Sequence, residues 1–430
     1  MLINATLILV ALLALSVPVA GALGMLALSM SGLYSIMPLS LALGEVAWAN
    51  SVEFVLVAVP MFILLGEVLL RAGIADKMYN AMVQWLSWLP GGLMHANVGA
   101  CAMFAATSGS SVATAATVGT VAIPQIEKRG YNAPLFLGTI AAGGTLGILI
   151  PPSINIIIYG MLTNTSVPQL YLAGFIPGFG LAILFSILVV TACLIRPHWG
   201  GHKVETSWRS RAAVIPDLGP PLLIFLVVVG SIYAGLATPT EAASVGVVAA
   251  FLLAAWNRRF NWTMIQEVAQ GTMQSTAMVM AIIVAAIFLN FILAAVGLTQ
   301  ALAAFIEQLG WTPFQMMIAI IVFYAILGCF METLSMMITT TPLIAPIVFQ
   351  LGYDPVWYGI VLTILMELAL ITPPVGLNLY IVQGVRRTGS LTEVIQGALP
   401  FVLSMFTLIA LLIAFPDIAL WLPRQFYAGN

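Results

Sequence analysis

Residues 138–160, GTIAAGGTLGILIPPSINIIIYG, are long and apolar enough to cross a bilayer, yet a Pro-Pro pair interrupts them. Proline lacks a backbone N–H and its ring clashes with the preceding turn, so a helix breaks there and leaves carbonyls unpaired upstream. Broken backbone at membrane depth is tolerated only where protein buries it or a wet cavity lines it. Few membrane folds satisfy that condition.

The break has a second copy. Pro124, Gly130, Tyr131, Pro151 and Pro152 recur as Pro346, Gly352, Tyr353, Pro373 and Pro374, each pair 222 positions apart (346 − 124, 352 − 130, 373 − 151). More loosely, Gly73-Ile74 answers to Gly297-Leu298, and Ser110-Ser111 to Glu332-Thr333. Charge sets the copies in opposite senses. Lys128-Arg129 precede Gly130, where Gln350-Leu351 precede Gly352; after the Pro-Pro helix, Thr163-Asn164-Thr165 stand in one copy and Arg386-Arg387 in the other. Inverted repeats with broken helices are the signature of secondary transporters, whose sites lie near the midplane.

Composition fits a chain that lives in lipid. Of 430 residues, 62% are hydrophobic and 7% charged, against about a quarter charged in soluble domains. A net charge of −2 with scattered cations gives no surface for a nucleic acid. Cys101, Cys193 and Cys329 lie in apolar runs and suit core thiols better than disulfides. There is no GxxxxGK for ATP, no HExxH or CxxC, and no intramembrane acid pair or His/Asp set of the kind an enzyme would need. Residues 6–30 read as a retained first helix rather than a signal peptide.

Candidate spans fall at 4–30, 52–70, 133–163, 168–195, 216–237, 239–256, 263–290, 354–385 and 392–421. Residues 92–127 and 313–350 are apolar but interrupted, and read as re-entrant hairpins. With both hairpins returning to their starting side, twelve of the thirteen cations share one side and only Arg424 lies opposite. Lys and Arg mark the cytoplasmic face, which places the N-terminus inside and the C-terminus outside. Residues 75–89 and 298–309 are amphipathic and suit helices lying along the interface as well as ordinary loop helices.

Each copy offers a hairpin tip and a broken helix. The first tip is 107–111, TSGSS, and the second is 329–335, CFMETLS, with Glu332 and Thr333. Freed carbonyls with hydroxyl oxygens form a hard-ligand shell for a small cation such as Na⁺. A helix N-terminus at a tip suits an anionic group. Ser108, Gly109, Ser110, Asn155, Thr333 and Asn378 are the candidate substrate contacts. Small hydroxyl residues also serve plain helix packing, so the constellation and its repeat carry this reading rather than any one residue. Glu241 reads as a helix cap, while Glu367 suits either scaffolding of a tip or ion coupling.

The segments GSSVATAATVG (109–119), GTIAAGGTLGILIPPSINIIIYG (138–160) and ATPTEAASVGVVAA (237–250) resemble the large membrane (M) subunit of TRAP (tripartite ATP-independent periplasmic) transporters, in the expected order over essentially the whole chain. The resemblance implies an ion-transporter-superfamily fold: an all-α polytopic membrane protein with inverted repeats, two re-entrant hairpins and two broken helices. It implies a scaffold (1–90 and 166–310), an elevator-type transport domain (91–165 and 311–388) and a C-terminal span (389–430). It implies Na⁺-driven import of an organic acid across the bacterial inner membrane, with two or more coupling Na⁺ ions and no ATP. Carried over residue by residue, the Na⁺ sites involve Ser110, Ser111, Gly144 and Pro151 on one side, and Glu332, Thr333, Thr372 and Gly376 on the other. Partners implied are a small membrane subunit (Q) of about four helices and an extracytoplasmic substrate-binding protein (P). The second tip is not Ser/Gly-rich like the first, so the two sites need not be chemically equivalent. A stand-alone Na⁺-coupled transporter of the same superfamily is the rival expectation.

Overall fold

A computed structural model of the chain describes residues 1–15, 17–202, 204–298, 300–301 and 309–427. Among them no strand forms; one isolated bridge joins Tyr131 and Gly200, and the regular structure is helix. Seven of the described helices are long and apolar enough to cross a membrane: Phe54–Arg71, Val167–Ile195, Ile215–Tyr233, Pro239–Trp256, Trp262–Ala295, Thr333–Gln350 and Leu391–Ala414. A bent pair, Ala133–Leu149 and Ile154–Thr163, makes an eighth, with 41° between its halves.

The sequence repeat is a structural repeat. Ala133–Leu149 and Pro355–Ile371 are both 17 residues long and match at both ends at the 222 offset (355 − 133, 371 − 149). Asn132 accepts the Leu135 N–H ahead of the first, and Asp354 accepts the Val356 and Trp357 N–H groups ahead of the second. These caps also stand 222 apart (354 − 132) and satisfy N–H groups that a helix start leaves orphaned. Both helices are apolar on all faces and almost wholly buried, as such helices must be. After each break follows a 10-residue helix, Ile154–Thr163 or Leu377–Arg386.

The first hairpin, Leu93–Ser108 and Ser111–Ala122, is re-entrant: the Leu93 N–H at its start donates to the Tyr131 hydroxyl beyond its end, at 3.0 Å. In the second, Pro313–Leu327 and Thr333–Gln350, the arms meet where Tyr324 and Thr340 hydroxyls lie 2.6 Å apart. Thr333–Gln350 runs through Pro342 and Pro346, whereas its counterpart stops before Pro124. The cation-bearing loops gather at one end of the bundle. His202 donates its N–H to the Arg129 carbonyl at 2.8 Å, Arg211 donates to the Gln84 carbonyl at 3.2 Å, and Lys77 donates to the Asn257 side chain at 2.9 Å. Arg424 instead pairs with Asp417 and shares a cleft with Gln169 and Asp354, at the start of spans whose far ends reach the basic loops. The hairpin arrangement inferred from the cations therefore stands.

Several expectations need correction. Residues 4–30 do not form one helix: Leu2–Ala14 and Val19–Tyr34 are separate, and the Asn4 side-chain amide donates to the Tyr34 hydroxyl at 2.7 Å. Only a fold-back brings those residues together, and Pro18, extended and without an N–H, precedes the second helix. An N-terminus on the cation side rested on one crossing here and loses that basis. The last span ends at Ala414, and Asp417–Tyr427 is a separate helix after Pro416. Leu43–Ser51 is a further helix that the apolar pattern did not mark. Of the two amphipathic stretches, the first forms Ala75–Leu86 and binds the first hairpin, the Tyr79 hydroxyl donating to Asn97 at 3.0 Å; the second, 298–309, lies largely outside the described residues.

The first broken helix is fixed to the C-terminal span by backbone contact. A Cβ on Gly397 would stand 1.8 Å from the Pro134 carbonyl oxygen, and one on Gly138 would stand 2.0 Å from that of Gly397. Only glycine permits this approach.

Candidate functional site

At the first tip the chain turns through Gly109, at φ +61°, a left-handed conformation natural to glycine. A Cβ there would also stand 2.9 Å from the Pro152 carbonyl oxygen, so the tip sits directly on the first break. Ser110 then caps Ser111–Ala122, its hydroxyl accepting the Ala113 N–H at 3.4 Å. The Ser111 hydroxyl donates to the Thr145 carbonyl at 3.2 Å, one turn before the break.

The second tip is built on the same plan with different chemistry. Glu332 caps Thr333–Gln350. Its Oε1 accepts the Leu334 N–H at 3.0 Å and the Thr333 hydroxyl at 3.1 Å; its Oε2 accepts the Ser335 N–H at 2.9 Å and the Ser335 hydroxyl at 3.0 Å. The Val375 N–H, just past the second Pro-Pro pair, donates to the Cys329 carbonyl at 3.3 Å and ties the tip to its break. The Pro151-Pro152 and Pro373-Pro374 bonds are both cis.

Both tips and both broken helices meet at one central cavity of about 100 Å³. Its lining falls into pairs at the 222 offset: Ser110 with Glu332, Ser111 with Thr333, Val112 with Leu334, Ile148 with Leu370, and Asn155 with Leu377. Gly109 and Ile154 complete it. A cavity lined by matched positions of both copies lies on the axis that relates them. Asn155 is 5% exposed, and its Nδ2 has no hydrogen-bond partner.

Two larger clefts flank this cavity and answer to each other in the same way. One, of about 860 Å³, is lined by Thr120, Gly384, Arg386, Arg387 and Thr388, together with Glu127 near the basic loops. The other, of about 760 Å³, is lined by the equivalent Pro342, Leu162, Asn164, Thr165 and Ser166, together with Glu53. Arg386 is paired with Glu393.

Of the candidate residues, Gly109, Ser110, Ser111, Asn155, Glu332 and Thr333 line the central cavity. The side chain of Ser108 lies outside those described. The others stand behind the cavity. Gly144 lets the hairpin approach, since a Cβ there would lie 2.7 Å from that of Ala115. Pro151 is buried in the break. The Thr372 hydroxyl donates to the Leu368 carbonyl at 2.6 Å, and Gly376 starts the helix Leu377–Arg386 at φ +45°. Asn378 is fully buried and donates to the Ala141 carbonyl at 3.1 Å, joining the two broken helices. Glu367 is fully buried in Pro355–Ile371, at the place Thr145 holds in the first copy, and does not line the cavity. Glu241 is a cap: its carboxylate accepts the Thr238 N–H and hydroxyl, both at 2.8 Å. Ser335 was not foreseen, although it lies three residues past the cap, where a capping oxygen finds its partner. Among the described residues no group of three or more His, Cys, Asp or Glu side chains is placed to hold a metal ion.

Comparison with known proteins supplies a family for this geometry. Residues 6–418 match the family described as tripartite ATP-independent periplasmic transporter, DctM component. The C4-dicarboxylate TRAP transporter large permease protein DctM of Vibrio cholerae is 32% identical, the match covering 86% of each chain. The ectoine TRAP transporter large permease protein TeaC of Halomonas elongata is also 32% identical, over 85% of this chain and 86% of that one. The crystal structure of the Alcanivorax borkumensis YdaH transporter has the same fold, with a TM-score of 0.65 at 16% identity, covering 96% of this chain and 99% of that one. The chain belongs to the DctM component family and is the large, multi-pass permease of a tripartite ATP-independent periplasmic transporter, a transport component rather than an enzyme.

Proposed function

We propose that this permease imports an organic acid together with Na⁺ across the bacterial inner membrane, exposing the central cavity alternately to the two flanking clefts. The observation that carries this reading is the central cavity itself, lined by matched positions of both inverted copies and placed between two matched clefts. Inverted repeats around a midplane site are the architecture of alternating access.

In this reading residues 91–165 and 311–388 move together as the transport domain, elevator fashion, against a scaffold of 1–90 and 166–310, and the C-terminal span travels with the first broken helix to which Gly397 and Gly138 join it. Na⁺ is co-transported rather than resident. On the first side, Ser110 and Ser111 hold it with carbonyls that the break frees around Gly144 and Pro151. On the second, Thr333 holds it with carbonyls around Thr372 and Gly376. Gly109, Ser110, Asn155 and Thr333, which line the cavity, face the substrate. Asn378, whose amide already donates to the Ala141 carbonyl, braces the helices instead.

The basic end of the bundle, with its cleft at Arg386 and Arg387, faces the cytoplasm under the positive-inside rule. A binding protein delivers substrate to the opposite cleft, and a small Q subunit of about four helices completes the membrane complex. The two relatives at equal identity carry C4-dicarboxylate and ectoine in their names, so overall similarity does not select the cargo; the binding protein does. The test is uptake into proteoliposomes holding the full complex. Replacing external Na⁺ with K⁺ should abolish uptake, and undiminished uptake in K⁺ refutes the coupling.

A further inference from the structure

Away from the tips, a cavity of about 410 Å³ lies between the first hairpin and two membrane-spanning helices, Val167–Ile195 and Ile215–Tyr233. Its walls are mostly apolar. Val98, Ala102 and Met103 of Leu93–Ser108 form the inner wall, and Phe179, Ile183 and Leu222 of the two spans form the outer one. Those three outer side chains are exposed on helices that cross the membrane, so the cavity borders on lipid.

The shape and the ends of this slot decide what fits it. From His95 to Ala106 its lining follows one helix for eleven residues (106 − 95), about 16 Å at ~1.5 Å per residue. The Ala106 end approaches the hairpin tip, and the His95 end meets Leu86, the last residue of Ala75–Leu86. Arg211 donates to the Gln84 carbonyl and brings a cation to that second end. His95 is 1% exposed, and its Nε2 lies 2.8 Å from the Pro90 carbonyl oxygen. A carbonyl only accepts, so Nε2 carries the proton and Nδ1 of the neutral ring is an acceptor. That Nδ1 is buried and has no partner. An unpaired buried acceptor is costly and calls for a donor.

A slot that is apolar along its length, polar at its basic end and bordered by lipid has the polarity of one phospholipid. Basic pockets between spans on the cytoplasmic side are places where lipid headgroups bind. We propose that the slot holds one phospholipid of the cytoplasmic leaflet, its acyl chain along Leu93–Ser108 and an N–H donor of its headgroup on His95 Nδ1. The hairpin belongs to the transport domain and the two spans to the scaffold, so this lipid sits in the joint across which the two bodies slide.

The test uses the permease with its small subunit, reconstituted with phosphatidylethanolamine that carries a diazirine in mid-chain. After irradiation, labelled residues are mapped by peptide mass spectrometry. Label should appear on Val98, Ala102 and Met103 as well as on Phe179, Ile183 and Leu222. The same probe built on phosphatidylcholine, which has no N–H donor, should label the hairpin residues about threefold less, the worth of one hydrogen bond. His95→Phe should remove that difference. Ala102→Phe, which fills the slot, should cut labelling of Val98 and Met103 by about fivefold or more and leave Ile183 labelled. Should it not fold, Ala182→Phe from the opposite wall carries the same prediction. Label confined to the outer side chains overturns the lipid site. So does hairpin label that appears only when the small subunit is left out, since that subunit then covers the slot. Equal labelling by the two headgroups overturns the His95 contact. No readout here depends on Na⁺ or on uptake, so a failure of the Na⁺ reading leaves this result standing.

Discussion

At the first tip a serine hydroxyl takes the Ala113 N–H at 3.4 Å. At the second, 222 residues later, a glutamate takes two N–H groups and two hydroxyls at 2.9–3.1 Å. The backbone plan is the same: a helix arrives, the chain turns, a side chain caps the returning helix, and the tip rests on a Pro-Pro break. Inversion then brings the two caps to one cavity, where they face each other as a neutral group and an anion. Backbone is constrained by the fold and is repeated; the side chains at the meeting point are free to differ, and here one cap is a serine and the other a glutamate.

The comparison breaks most severely where a tip is lifted from its seat. A Cβ on Gly147 would stand 2.9 Å from both the carbonyl carbon and oxygen of Ser110. Gly147→Val must displace backbone, which has no rotamer to yield, so uptake should fall by about tenfold or more, overpacking of this kind costing about 1–3 kcal/mol or above. Flux in proteoliposomes, beside the yield of folded complex, separates loss of transport from loss of fold.

A smaller effect sharpens the contrast between caps. Glu332→Ala removes a charged acceptor from four donors and should cost about 2–3 kcal/mol. Ser110→Ala removes a neutral cap and should cost about 1 kcal/mol. Thermal unfolding midpoints of the two variants should fall in that order. A larger loss at Ser110 would contradict the division between the tips.

Much of this was legible in the sequence because it follows from covalent constraint. Two Pro-Pro pairs at one offset mark two broken helices, and the placement of cations requires both hairpins to return. The same offset pairs Asn132 with Asp354, two caps the sequence reading passed over. It also pairs Asn155 with Leu377, although the two asparagines near the breaks look like counterparts. One residue of register separates Asn378 from that place, and it sends the side chain into the helix interface instead of the cavity. Residues 4–30 show a different limit. Apolar composition is the same for one span and for two helices folded back, and only Pro18 marks the difference. Glu367 shows a third, since burial among neighbouring helices is a property of packing that no local pattern carries.

The central claim is that one cavity serves both copies. Val112 and Leu334 line it from opposite sides at matched positions, so Val112→Trp and Leu334→Trp fill the same space from either copy. Uptake by the reconstituted complex, measured for each variant beside its thermal stability, tests the claim most directly. The account predicts that both variants remain folded and both lose uptake. Retention of uptake by either one, with the protein folded, would show that the two tips do not share a transport site.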